Sequence, residues 1–298
     1  MTTVNISERL NQIAQVISAS PDFSTFTSDE EYMDYVVPLM NDTLYLLTIS
    51  LALAHDEEEA VTGLPRNSAI VMGHMVRLRK HYEGFLQFIV NRQAELAAIF
   101  MRLMYETIVK VDYLFDAEHE SFESYILSSY KAEKGNLQDL EKKESERPLT
   151  DIESRIKEKI HNRLNRDGIS RETLFENTKW RMDGKSFFDI LKHLGREDEY
   201  SYLFGSGSHF VHGGWYEISL HHLKQKGDYY TPHLEYDNPD PRLACPISAY
   251  CLHQMEKFVD WNETDPNEVV GPMLHNLCNH FRRIDEAHEE FYQLSNST

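Results

Sequence analysis

The stretch QAELAAIFMRLMYETIVKVDYLF, residues 93–115, decides the fold. Its apolar residues Leu96, Ala97, Ile99, Phe100, Leu103, Met104, Ile108, Val109, Val111 and Leu114 point to nearly every side of a 3.6-residue helix. Surface helices keep a polar face, so a helix of this kind belongs at the centre of a bundle. Along it, Arg102, Glu106 and Lys110 stand four apart and form a single polar ridge. A ridge that faces inward needs partners for its charges, because an unpaired buried charge is costly. His212 or a ligand phosphate would serve. A ridge that is only a narrow stripe facing water needs no more than ordinary ion pairs, worth about a few tenths of a kcal/mol.

The same periodicity continues on both sides. Ser7 suits the N-cap of a short helix to Ser18, with Leu10, Ile13, Ala14 and Ile17 on one face. A second helix covers about residues 29–54 and bends at Pro38. Pro65 fits the first position of a third, which reaches about Val90. Over residues 118–181 the composition turns to Lys, Glu, Arg and Asp, and 131–166 reads as long solvated helices broken near Pro148. That excursion is either a solvated surface or a partner-binding arm. Helix resumes over 185–194 and again from Tyr200. Residues 217–236, with Lys226, Gly227 and Asp228 at their middle, suit a small β-hairpin. The run from Asn238 to Pro241 stops it, and two last helices fit 246–261 and 266–294. The expected fold is all-α: one helical-bundle domain over residues 1–298, with a charged excursion and at most a small hairpin.

With 41% hydrophobic and 27% charged residues, the composition is that of a soluble globular protein. A formal charge of -19 argues against general adhesion to nucleic acid or anionic membrane, while permitting a local basic pocket. Fifteen histidines make that charge depend on pH. Cys245, Cys251 and Cys278 are odd in number and lack metal-type spacing, so reduced thiols are expected. The N-terminal residues lack a basic region followed by an apolar one, and the apolar run from Leu44 to Ala54 is too short to span a bilayer. A cytoplasmic protein without membrane association is expected.

The chemistry points to YLFGSGSHFVHGGW, residues 202–215, which puts two histidines, two serines and four glycines into fourteen residues. A Gly/Ser run ahead of a helix starting near Ser208 would leave backbone N–H groups free for an anion. On that helix Ser208 and His212 share a face, as do His209 and His212. One reading is a phosphate or acyl site using histidine as acid or base. The other is a tight helix crossing in which glycine permits contact and the histidines are satisfied by hydrogen bonds. Among metal patterns, Glu158-x-x-His161 has the spacing of di-iron bundles, but Lys157, Lys159, Asn162 and Arg163 suggest an exposed helix. Neither His221-His222 nor His209-x-x-His212 has an obvious carboxylate set. No metal and no cofactor are therefore expected, and there is no P-loop, Rossmann fingerprint or HExxH.

The Arg102-x-x-x-Glu106 helix and the Ser208-x-x-x-His212-Gly segment together resemble an uncharacterised family of helical bacterial proteins, over about residues 65–260. More distantly the arrangement resembles HEPN-type helical nucleases, whose signature is Arg, four to six residues, then His. No Arg precedes His212 at that distance, whereas Arg283-x-x-x-x-His288 matches the signature. The resemblance implies a homodimeric, metal-independent ribonuclease acting in bacterial stress or phage defence. In that reading His212 is the general base or acid and His209 its partner. Arg102 would stabilise the phosphorane charge, Glu106 would orient Arg102 or His212, and Ser208, Ser206, Tyr202 and Lys110 would bind RNA. The competing expectation is a non-enzymatic helical module that binds a protein partner or small ligand through the same polar pocket.

Overall fold

The computed structural model describes residues 6–54, 62–263 and 269–295, and it is all-α with one small antiparallel hairpin. The chain groups into two compact units, residues 1–115 with 198–298, and residues 116–197.

The larger unit begins with α1 (Ile6–Ser18), α2 (Asp29–Leu53), α3 (Arg66–Val90) and α4 (Ala94–Phe115). Ser28 caps α2 by accepting from the Glu31 backbone N–H, and Asp29, Glu30 and Glu31 set negative charge against the positive end of the helix dipole. Pro38 stands inside α2 without ending it. The whole of α2, unlike the run 44–54 read alone, is long and apolar enough to cross a membrane by length and composition; half of that apolar stretch is buried within the unit. Pro65 occupies the N-cap of α3, one place earlier than expected. The centre of the bundle is α4, where every residue from Ala94 to Phe115 is buried or half-buried. A helix without a water-facing side must be apolar nearly all round, and the sequence meets that demand.

The charged stretch makes the second unit: α5 (His119–Ser129), α6 (Lys131–Glu146), α7 (Asp151–Arg166), α8 (Arg171–Glu176) and α9 (Phe187–His193). The break near Pro148 is sharpened by a capping box, in which Thr150 and Glu153 satisfy each other's backbone N–H groups at the start of α7. Leu137, Leu140, Ile160, Leu164, Leu174 and Leu191 are buried, so this is a small core of its own and more than a solvated surface.

The chain then re-enters the larger unit through a π-helical turn (Tyr200–Gly205), α10 (Ser206–His212), one further turn (Trp215–Glu217) and a second π-helical turn (Ile218–His222). Strands β1 (Leu223–Lys226) and β2 (Tyr229–Pro232) pair with Leu223 opposite Pro232 and Lys226 opposite Tyr229. Gly227 makes the tight turn at a φ of +61°, which glycine adopts at no steric cost. Next, α11 (Pro241–Trp261) starts earlier than the expected residue 246, because Asp240 caps it and Pro241 fits its first turn; Pro246 lies within it. The last helix, α12 (Val270–Ser295), was expected from Pro266, but 264–268 lie outside the described residues. Tyr82 of α3 bonds Ser248 of α11 at 2.8 Å in the middle of the core. Cys245, Cys251 and Cys278 are free and buried, and burial pushes all three thiols up, which keeps them protonated.

Candidate functional site

Arg102, Glu106 and Lys110 form the ridge expected of them. Glu106 accepts from Arg102 at 3.1 Å through one oxygen and from Lys110 at 2.6 Å through the other. The Arg102 side chain is only 11% exposed, whereas Glu106 and Lys110 are near 30%. Burial works to raise the Glu106 carboxyl, but Lys110 and Arg102 outweigh it and hold the group below its ordinary range. On the facing helix α3, Arg77 donates to Thr107 at 2.5 Å. His74 is buried beside these charges, and burial, reinforced by Lys110 and Arg77, pushes its imidazole down to about 4. Two cations thus share one carboxylate while Arg77 bonds a hydroxyl, and the histidine among them is neutral at pH 7.

The Gly-rich stretch meets this ridge through a glycine and an aromatic ring. The Arg102 guanidinium lies 3.2 Å from the centroid of the Phe204 ring. A Cβ on Gly207 would stand 2.8 Å from the Arg102 Cβ and 2.9 Å from its Cδ, so glycine is what lets α10 lie on α4. The tight crossing is present. The helix-start anion site is not: Gly205 already has helical φ and ψ, and the chain is wound from Tyr200, so Ser208 lies inside a helical run. N–H groups are free only where a helix begins. The Ser208 hydroxyl donates to the Phe204 carbonyl at 2.8 Å, a bond to its own helix.

The two histidines do not join Arg102. Gly207 faces Arg102, and at about 100° per residue His209 and His212 stand about 200° and 140° round the helix from it. Both are exposed, and the His209 ring packs against Tyr216 at 5.6 Å. Tyr202 is 77% exposed, and the side chain of Ser206 lies outside the described residues. The Arg283…His288 match dissolves in three dimensions: Arg283 is exposed, while His288 is fully buried, bonds Asp29 at 2.8 Å and packs on Tyr32.

A second cluster escaped the sequence. His221 bonds Asp237 at 2.5 Å, and both sit beside Glu95 in the first turn of α4. The Asp237 backbone N–H donates to Glu95 Oε1 at 3.1 Å, and the Ala94 N–H donates to the Asp237 carbonyl, also at 3.1 Å. The carboxylates missing around His221 thus come from 126 residues before it and 16 after it. Nothing in local spacing signals them.

The model of a family of unknown function, DUF5677, matches residues 68–230, more than half of the chain. The match runs from α3 into β2 and contains the ridge and the whole Gly-rich stretch. No curated protein and no solved structure matches.

Proposed function

This chain belongs to DUF5677, and we propose that it is a non-enzymatic helical interaction module that docks a protein partner through the face formed by residues 202–236. One observation carries the reading: where large apolar side chains stay in water. Among the described residues nineteen large hydrophobics are exposed, and nine of them, with six of the eight aromatics, fall in this short segment. Tyr202, Trp215, Tyr216 and Tyr229 are 63–79% exposed. Side chains so exposed stand off the surface instead of lining a cavity, which suits a protein better than a small ligand. Concentrated apolar exposure is also what monomeric surfaces avoid. Trp215 meets Tyr230 edge-on at 5.6 Å, connecting the turn after α10 to the hairpin.

The partner we propose first is a second copy of the chain. Within 202–236 the fixed charges are Lys224 and Lys226 against Glu217, Asp228 and Glu235, close to balance on a chain of charge -19. Two such chains repel least there. Sedimentation velocity over a wide concentration range should show a dimer that Trp215→Ser with Tyr230→Ser abolishes while leaving helicity intact. A wild-type chain that is monomeric throughout overturns the homodimer. The free, buried cysteines support a reducing, cytoplasmic setting.

The metal-independent ribonuclease is the second reading, favoured by one feature. His209 and His212 are both open to solvent on α10, next to exposed rings on which bases could stack. Arg102, stacked on Phe204 and bound to Glu106, has no part in it. Cleavage of end-labelled RNA in EDTA by wild type but not by His212→Ala would displace the first reading. It would then support an effector of the stress or defence type.

A further inference from the structure

We propose that Glu95, His221 and Asp237 form a binding site for a divalent transition-metal ion of the zinc class. One donor atom from each residue lies within 4.8 Å of the other two. The placement is built by the fold. Glu95 is fixed in the first turn of α4, and His221 lies in the π-helical turn before β1. Asp237 is strapped to the start of α4 by its carbonyl, which accepts from the Ala94 N–H, and its N–H, which donates to the Glu95 side chain.

Glu95 supplies the independent sign of a ligand. The residue is 5% exposed; its Oε1 accepts from Asp237, while its Oε2 is buried and has no hydrogen-bond partner. A buried carboxylate oxygen left without a partner is costly, and the positive end of α4 relieves only part of that cost. A cation between the three groups would supply what Oε2 lacks. His221 and Asp237 are 17% and 42% exposed, so an ion can reach the site from solvent.

The donor set selects the ion. Two carboxylates and one imidazole suit zinc or its neighbours better than magnesium or calcium, which prefer all-oxygen shells. Three protein ligands leave a fourth position for water. Donors about 2.0–2.1 Å from a tetrahedral zinc lie roughly 3.3 Å apart. Entry of the ion therefore opens the 2.5 Å His221–Asp237 contact by a little under about 1 Å. For Nδ1 to coordinate the metal, the proton it shares with Asp237 moves to Nε2 when the ring is neutral and is released to solvent when the ring is an imidazolium. Phe210 packs against the His221 ring at 5.2 Å and limits how it can turn. That ring ties the site to the Gly-rich helix without involving either exposed histidine.

The test needs no assay of activity. Untagged chain, stripped with a chelator, is dialysed against zinc chloride in the presence of excess magnesium, and metal per chain is measured by mass spectrometry. One zinc per chain is expected in wild type. Glu95→Gln, which keeps the Oε1-type acceptor for Asp237, and Asp237→Asn should each weaken zinc binding by about 10-fold to 100-fold or more. His222→Gln, one residue from the site and paired instead with Glu217, should bind as wild type. Should Glu95→Gln fail to fold, Asp237→Asn decides alone, since Asp237 is the most exposed of the three side chains. No stoichiometric zinc in wild type overturns the site, as does zinc retained undiminished by the folded variants.

Discussion

The middle of α4 and its first turn both hold charge inside the same helix, and they solve the problem differently. In the middle, Glu106 is neutralised by residues four before and four after it, so the helix carries its own counter-charges. In the first turn, Glu95 finds its neighbours only through the return of the chain 126 and 142 residues later. The first solution is complete when the helix forms. The second exists only in the folded unit, and it leaves one carboxylate oxygen without a partner. Charge balanced locally is satisfied within the helix, whereas the charge gathered from a distance leaves Glu95 Oε2 open to the ion proposed for it.

The largest test of this contrast is Glu106→Ala. It strips the shared carboxylate from two part-buried cations and should cost about 2–3 kcal/mol, read as a lower urea midpoint with unchanged slope. A loss below about 0.5 kcal/mol would mean that solvent, and not Glu106, balances the ridge.

Next comes pH. The His74 imidazole sits at about 4 when folded against 6.5 in the free side chain. Between those values the unfolded chain binds the proton and the folded chain does not. The His74 contribution is thus constant above 6.5 and falls as the pH drops from 6.5 towards 4. The His74 share is on the order of 1–3 kcal/mol, and His74→Gln should flatten the decline between pH 6.5 and 4.5 in urea titrations. An unchanged slope would separate His74 from the ridge.

Gly207→Ala should cost about 1–2 kcal/mol by overpacking against the Arg102 stem, measured as a fall in melting temperature. Because the obstructing atoms are close to the α4 backbone, they cannot swing aside as a side-chain tip would. The smallest effect is expected from Glu95→Gln without metal, under about 1 kcal/mol, since its carbonyl still accepts from Asp237. A larger loss would make Glu95 a structural anchor first.

The sequence by itself determined the helices and their order of importance. An apolar pattern on nearly every side of 94–115 demanded a central helix, and Pro148 and Gly227 marked a break and a turn that local backbone chemistry dictates. The Arg102–Glu106–Lys110 ridge was legible for the same reason: an i,i+4 relation is fixed by helix geometry alone. The capacity of 116–197 to form its own core was harder to see, because a handful of buried leucines and isoleucines is diluted by the charged residues around them. Only the tertiary structure decided that Gly207 and Phe204 take the face towards Arg102, which turns His209 and His212 to water and away from the ridge. The meeting of Glu95, His221 and Asp237 was likewise beyond the sequence. Contacts within a helical turn follow from bond geometry, whereas contacts across more than a hundred residues follow from how whole helices pack, and no local spacing encodes that.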